Sequence, residues 1–151
     1  MRVTTKSGAM RSLEILAQEL ASPIGRAAVS EAMRGALRLR ADADAGEAAA
    51  LMRAGPDETA AVVDRDGAFV GTVALADLDG ARTVGERLRS DAIVFAPTET
   101  VARAAAVLAF ERRLEAMVVD ERRRVLGQLT ALDLLRWLAC AGGFLVPAPP
   151  R

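Results

Sequence analysis

Val62-Val63-Asp64-Arg65-Asp66-Gly67, followed by Val70-Gly71 and Ala76-Asp77-Leu78, is the stretch that decides the fold, because it occurs twice. Val118-Val119-Asp120 matches its start, Leu126-Gly127 its middle and Leu132-Asp133-Leu134 its end. All three pairs are separated by the same interval, so the alignment needs no gap. Upstream, Val29-Ser30-Glu31 matches Val84-Gly85-Glu86 after a slip of one residue. The repeat covers about four-fifths of the chain, and a repeat of this length defines a structural unit.

Each copy carries the same local signals in the same order. A short apolar run opens it, Leu37 and Leu39 in the first copy and Ile93-Val94-Phe95 in the second. An alanine-rich helix is predicted next, over Ala45 to Arg53 and over Glu99 to Phe110. Thr100 or Glu99 can cap the second helix, with Pro97 just outside it. Two strands joined by a tight turn come after, and Asp66-Gly67 supplies a strong hairpin signal in the first copy. A short helix closes each copy. The order is β-α-β-β-α, and one such unit leaves a face of its three-stranded sheet uncovered, so two units packed together are the expected minimum. Before the repeats, Leu13, Leu16 and Leu20 lie on one face of an amphipathic helix, read as a packing or dimer element. Prolines 147, 149 and 150 mark an irregular tail.

Composition removes several classes of function. The 151 residues contain 20 acidic and 20 basic side chains, which gives no electrostatic argument for nucleic acid or an anionic membrane as partner. The absence of histidine excludes histidine-based triads and the commonest metal ligand. Cys140 is the single cysteine, so no disulfide framework can form within the chain; beside Trp137 in an apolar helix it is expected to be a buried, inert thiol. No apolar run is long enough to span a bilayer, and a reducing cytoplasm is the expected location. No carboxylate pair stands out as a catalyst, so an enzyme is not expected. The acidic stretch Asp42 to Glu47 reads as a loop and helix start, and its spacing matches no metal-binding loop. Arg122-Arg123-Arg124 reads as a solvated hairpin turn.

The second copy reads Val118-Val119-Asp120 and then Gly127-Gln128-Leu129-Thr130-Ala131-Leu132-Asp133. This resembles the CBS motif (named for cystathionine-β-synthase), whose pattern is V-V-D on a strand, a turn, and a strand ending G-x-x-T/S-x-x-D into a helix. The first copy follows it from Gly71 to Asp77, except that Ala74 replaces the hydroxyl residue. The resemblance implies an α/β (α+β) fold of two CBS repeats packed as a pseudo-twofold pair, a Bateman module, with the extra N-terminal helix. The boundaries are residues 1–27 for the N-terminal extension, 28–80 and 81–141 for the motifs, and 142–151 for the tail. Such modules bind adenosine-containing ligands (AMP, ADP, ATP, S-adenosylmethionine or NAD), dimerise, and regulate another protein. This chain resembles a stand-alone pair that would act on a separate effector.

The T-x-x-D pattern has its own chemistry. An ionised Asp133 can accept hydrogen bonds from both ribose hydroxyls, and Thr130 can bond ribose or phosphate. The helix start near Ala131 would offer N–H groups to a phosphate. The resemblance adds Leu37 beside the base and Arg113 as a phosphate-binding side chain. Thr130 with Asp133 is also close to a helix capping box, a role compatible with binding. Asp77 marks a second, weaker site, because Ala74 removes its polar neighbour. A protein-interaction or dimerisation module without a small ligand is the alternative.

Overall fold

The structure is a computed structural model that describes residues 25–141. The N-terminal helix expected around Leu13 to Leu20 and the irregular tail fall outside the described residues. Two three-stranded sheets form, one per copy. In the first, β1 (Arg38–Arg40) runs parallel to β2 (Thr59–Val63), which is antiparallel to β3 (Phe69–Ala74). In the second, β4 (Val94–Phe95), β5 (Glu115–Val119) and β6 (Val125–Thr130) repeat that topology. Even the irregularity recurs, since the register shifts between Val62 and Val63 and again between Val118 and Val119.

The parallel pairs are joined by the expected helices, α2 (Ala45–Ala54) and α3 (Val101–Glu111); a short α1 (Val29–Ala32) precedes β1. Asp44 Oδ1 accepts from the Glu47 N–H at the start of α2, and Thr100 Oγ1 accepts from the Arg103 N–H at the start of α3. Each cap satisfies an N–H that the helix cannot.

The copies differ after their hairpins. The second continues into α4 (Ala131–Ala141), eleven residues long, whereas the first makes only a three-residue 3-10 turn, Leu75–Asp77. A short helix was expected in both. Thr130 and Asp133 cap α4, but Ala74 makes no side-chain cap bond, and Gly80 in the left-handed region (φ 74°) ends the first segment.

The middle strands β2 and β5 are buried on both faces, which explains their unbroken apolar runs. Ala60 and Val62 face α2 and the first core, and Ala116 and Val118 face α3 and the second. On the opposite faces Ala61, Val63 and Phe69 meet Met117, Val119 and Val125 in a third cluster that joins the copies. The need for two units is thus met at the sheet-to-sheet interface.

The segments that lead into each sheet cross over. Val29 and Ala32 of α1 pack in the core of the second copy, and Val84 packs in the core of the first. Arg34 pairs antiparallel with Gln128 on the edge of β6, and Arg89 pairs antiparallel with Thr72 on the edge of β3. These exchanges are tight: Gln128 N–H to Arg34 O is 2.8 Å and Arg89 N–H to Thr72 O is 2.8 Å.

The hairpin turns also meet. Asp64 Oδ1 accepts from the N–H groups of Asp66 and Ala68, and Asp120 Oδ1 accepts from those of Arg122 and Arg124. Arg123 stands where the first copy has Gly67, and both are left-handed (φ 61° and 80°). All three arginines are exposed, as expected of a solvated turn, but two of them also make contacts. Arg123 donates from Nε and Nη2 to Phe69 O, and Arg124 donates from Nη1 to Asp66 O, so the second turn clasps the first. Cys140 is exposed rather than buried, because only Leu134 of α4 is fully covered. Among the described residues no helix is long and apolar enough to cross a membrane.

Candidate functional site

Each crossing places an arginine of one copy against the aspartate of the other. At the end of β6, Asp133 Oδ2 accepts from the Thr130 N–H at 2.9 Å, and Thr130 Oγ1 accepts from the Asp133 N–H at 3.0 Å. This is the reciprocal capping box, with Asp in the Glu position. Arg34 Nε reaches the same Asp133 Oδ2 at 3.1 Å, and its Nη1 lies 2.5 Å from Asp57 Oδ1. Both carboxylates are largely enclosed, with side chains 10% (Asp133) and 13% (Asp57) exposed. Burial acts to lower the Arg34 pKa, but hydrogen bonds and charge from Asp57 and Asp133 raise it, and the net shift is upward from its ordinary value. Arg34 is therefore a permanent cation shared between two anions.

The first copy repeats this arrangement in a more open form. Arg89 donates from Nε (2.9 Å) and Nη2 (2.5 Å) to Asp77 Oδ2, with both side chains at least a third exposed. Arg34 and Arg89 lie at the same offset from Val29 and Val84, so the repeat alignment contained a signal for them that the strand and turn motifs did not.

Glycine is required at the crossings. A Cβ on Gly127 would sit 2.6 Å from Arg34 O, and one on Gly71 would collide with Arg89 O. In this chain the G of G-x-x-T/S-x-x-D serves close backbone approach between copies.

The residues singled out in the sequence do not all converge. Thr130 and Asp133 are together. Leu37 is half-buried and packs against the first core. Arg113 stands on the Asp77 side: it donates to Asp91 O at 3.2 Å and lines a crevice with Thr72, Ala92, Glu115, Ala116 and Met117. Asp57 holds the corresponding position in the first copy. The N–H groups expected to be free at the start of α4 are largely engaged, since Ala131 N–H donates to Leu114 O at 2.8 Å. Between the clefts, Gln128 Nε2 donates to Glu115 Oε2 at 3.3 Å, while the buried Gln128 Oε1 has no partner among the described residues.

The crevice beside Thr72 measures about 10 Å³, room for one water rather than a nucleoside. Asp133 Oδ2 and Asp77 Oδ2 are each engaged by an arginine of the other copy.

A family model described as "CBS domain" matches the chain twice, over residues 29–83 and 84–140. No curated protein sequence matches it. Solved structures agree in fold. CBSX2 in complex with AMP has a TM-score of 0.70 at 18% identity, over 76% of this chain and 98% of that one. The CBS domain pair of protein MJ0100, solved with 5′-methylthioadenosine and S-adenosyl-L-methionine, gives 0.65 at 23% identity, over 78% and 97%. The CBS domain of the bacterial CNNM/CorC family Mg2+ transporter in complex with ATP gives 0.67 at 18%, over 87% and 99%.

Proposed function

The chain belongs to the CBS domain family, and from that premise we propose that it is a regulatory module, not an enzyme, that binds an adenosine-containing ligand between its two repeats. The observation that carries this reading is the paired aspartates. Asp133 meets Arg34 of the first copy, which pairs with the edge of β6, and Asp77 meets Arg89 of the second, which pairs with the edge of β3. Among the described residues Asp133 Oδ1 accepts no hydrogen bond, and Oδ2 is held by groups a ribose diol can replace. The solved pairs with AMP, with 5′-methylthioadenosine and S-adenosyl-L-methionine, and with ATP support the ligand class.

Signalling follows from the arginines. Arg34 ties the leading segment of the first copy to the second, and Arg89 makes the reverse tie. A ligand that takes Asp133 releases Arg34 and favours a different seating of residues 25–37, a shift set by its preference for that arrangement. The output passes to a separate effector, or to a homodimer, in the cytoplasm.

The test is a thermal-shift screen with AMP, ADP, ATP, S-adenosylmethionine and NAD. Ligand at a hundredfold above its Kd stabilises the fold by about 2.7 kcal/mol, and Asp133→Ala should abolish the shift at that cleft. If no compound moves the Tm of the parent chain, the reading fails.

A second reading rests on a different surface. Leu108 and Ala109 of α3 and Leu134, Leu135 and Leu138 of α4 line an apolar groove of about 540 Å³, with Leu114 exposed at its rim. Such a face suits an interaction or dimerisation module without a small ligand. Stability that depends on Leu114 and Leu135 and ignores every nucleotide would favour it.

A further inference from the structure

The repeat superposes Asp57 on Arg113, each two residues ahead of its middle strand, so equivalent positions in the two clefts carry opposite charges. Asp57 and Asp133 are bridged by one guanidinium, that of Arg34, so whatever sits on Asp133 lies within a guanidinium's width of a second carboxylate. No other arginine makes a side-chain contact with either carboxylate among the described residues. The Asp77 cleft is built differently. Arg89 holds Asp77, and Arg113 lines the crevice beside Thr72, the residue that pairs with Arg89. The carboxylate that engages Arg113 is Asp91, 73% exposed and 3.4 Å away, a weak and well-solvated partner that leaves the guanidinium available. Glu115 lines the same crevice, but accepts from Gln128.

Resting on the adenosine reading above, we infer that the two clefts divide their ligands by charge. The Asp133 cleft takes a nucleoside whose 5′ substituent is neutral or cationic, such as a thioether or sulfonium. The Asp77 cleft takes one whose 5′ substituent is a phosphate. A phosphate in the Asp133 cleft meets Asp57 where the other cleft offers Arg113, and Arg34, the one cation in contact with these carboxylates among the described residues, is already shared between them. The first N–H groups of α4 give it little help, since Ala131 and Asp133 already donate theirs. A sulfonium there gains from the same carboxylate. This departs from the expectation that Asp133, with Thr130, marks the better site and Asp77 a weaker one.

Calorimetric titration of the full chain with 5′-methylthioadenosine, S-adenosylmethionine and ATP tests the division. Asp133→Ala should remove binding of the first two and spare ATP, and Asp77→Ala should do the reverse. Asp57→Asn should raise ATP affinity for the Asp133 cleft about tenfold, and Asp57→Arg by more, as expected for a unit charge at short range in a partly solvated cleft. Arg113→Gln should weaken ATP about tenfold and leave 5′-methylthioadenosine unchanged. The ratio of the two affinities within one variant is the readout, because any loss of folded protein cancels from it. Loss of ATP binding in Asp133→Ala, or a ratio unmoved by Asp57→Asn and Arg113→Gln, overturns the division while the adenosine reading stands. Failure of all three compounds to bind the parent chain overturns the division, and failure of AMP, ADP and NAD as well overturns the adenosine reading.

Discussion

Replacing each of the two equivalent aspartates by alanine should have unequal costs, and the structure sets the difference. Asp133 caps α4, and its loss frees the Thr130 N–H while Thr130 Oγ1 retains its bond to the backbone at position 133. Half of a capping box is worth about 1 kcal/mol. Asp133 also faces Arg34 in a site where its own side chain is 10% exposed. Removing one partner of a fully buried pair costs about 3–5 kcal/mol. Here Arg34 is 37% exposed and keeps Asp57, so the electrostatic loss is nearer 1 kcal/mol, by discounting toward the surface value. Asp133→Ala should therefore destabilise the chain by about 2 kcal/mol. Asp77 caps nothing and meets Arg89 on a half-exposed surface, so Asp77→Ala should cost about 0.5 kcal/mol or less. Urea denaturation without ligand, with m unchanged, measures both. In thermal melts the gap should appear as roughly 3–6 °C, by the scaling for a chain of this size. Equal costs would refute the reasoning, because they would mean that Arg34 and the cap add nothing over a surface ion pair.

Gly127→Ala should destabilise by about 2 kcal/mol or more, because its Cβ meets the Arg34 carbonyl, whereas Gly35→Ala, with open space around it, should stay within about 0.5 kcal/mol; paired melts check this. Arg123 combines a left-handed backbone with two bonds to Phe69 O. Arg123→Ala loses the bonds and keeps the strain, so it should be less stable than Arg123→Gly by about 1 kcal/mol, read from denaturation midpoints. Ala74→Thr restores the missing hydroxyl ahead of the Leu75–Asp77 turn and should stabilise the chain by about 0.5–1 kcal/mol, with slower amide exchange at Asp77 as the local readout.

Much of this architecture was legible in the chain because it depends on neighbours a few residues apart. The hairpins follow from Asp64 and Asp120 folding back on their own turns. The helix starts follow from Asp44, Thr100 and Thr130, and the two-sided burial of β2 and β5 follows from their unbroken apolar runs. The capping reading of Thr130 and Asp133 was equally accessible, since a capping box spans one turn. The absent hydroxyl at Ala74 pointed to a weakness after the first hairpin, although not to its reduction to a 3-10 turn.

Partners that lie far apart in sequence were not legible. Nothing near Arg34 shows that it crosses to Asp133, 99 residues away, or that Arg123 reaches back to Phe69. Those contacts depend on how the faces carrying Ala61 and Met117 stack, and on the leading segments exchanging cores, which only the packed pair establishes. The sequence by itself determined that Val62 to Leu78 recurs and forms one β-β unit twice, because hydrophobic period and turn chemistry are local. The tertiary structure alone decided that Asp57 faces one aspartate and Arg113 the crevice of the other, because long-range packing determines which charges share a cleft.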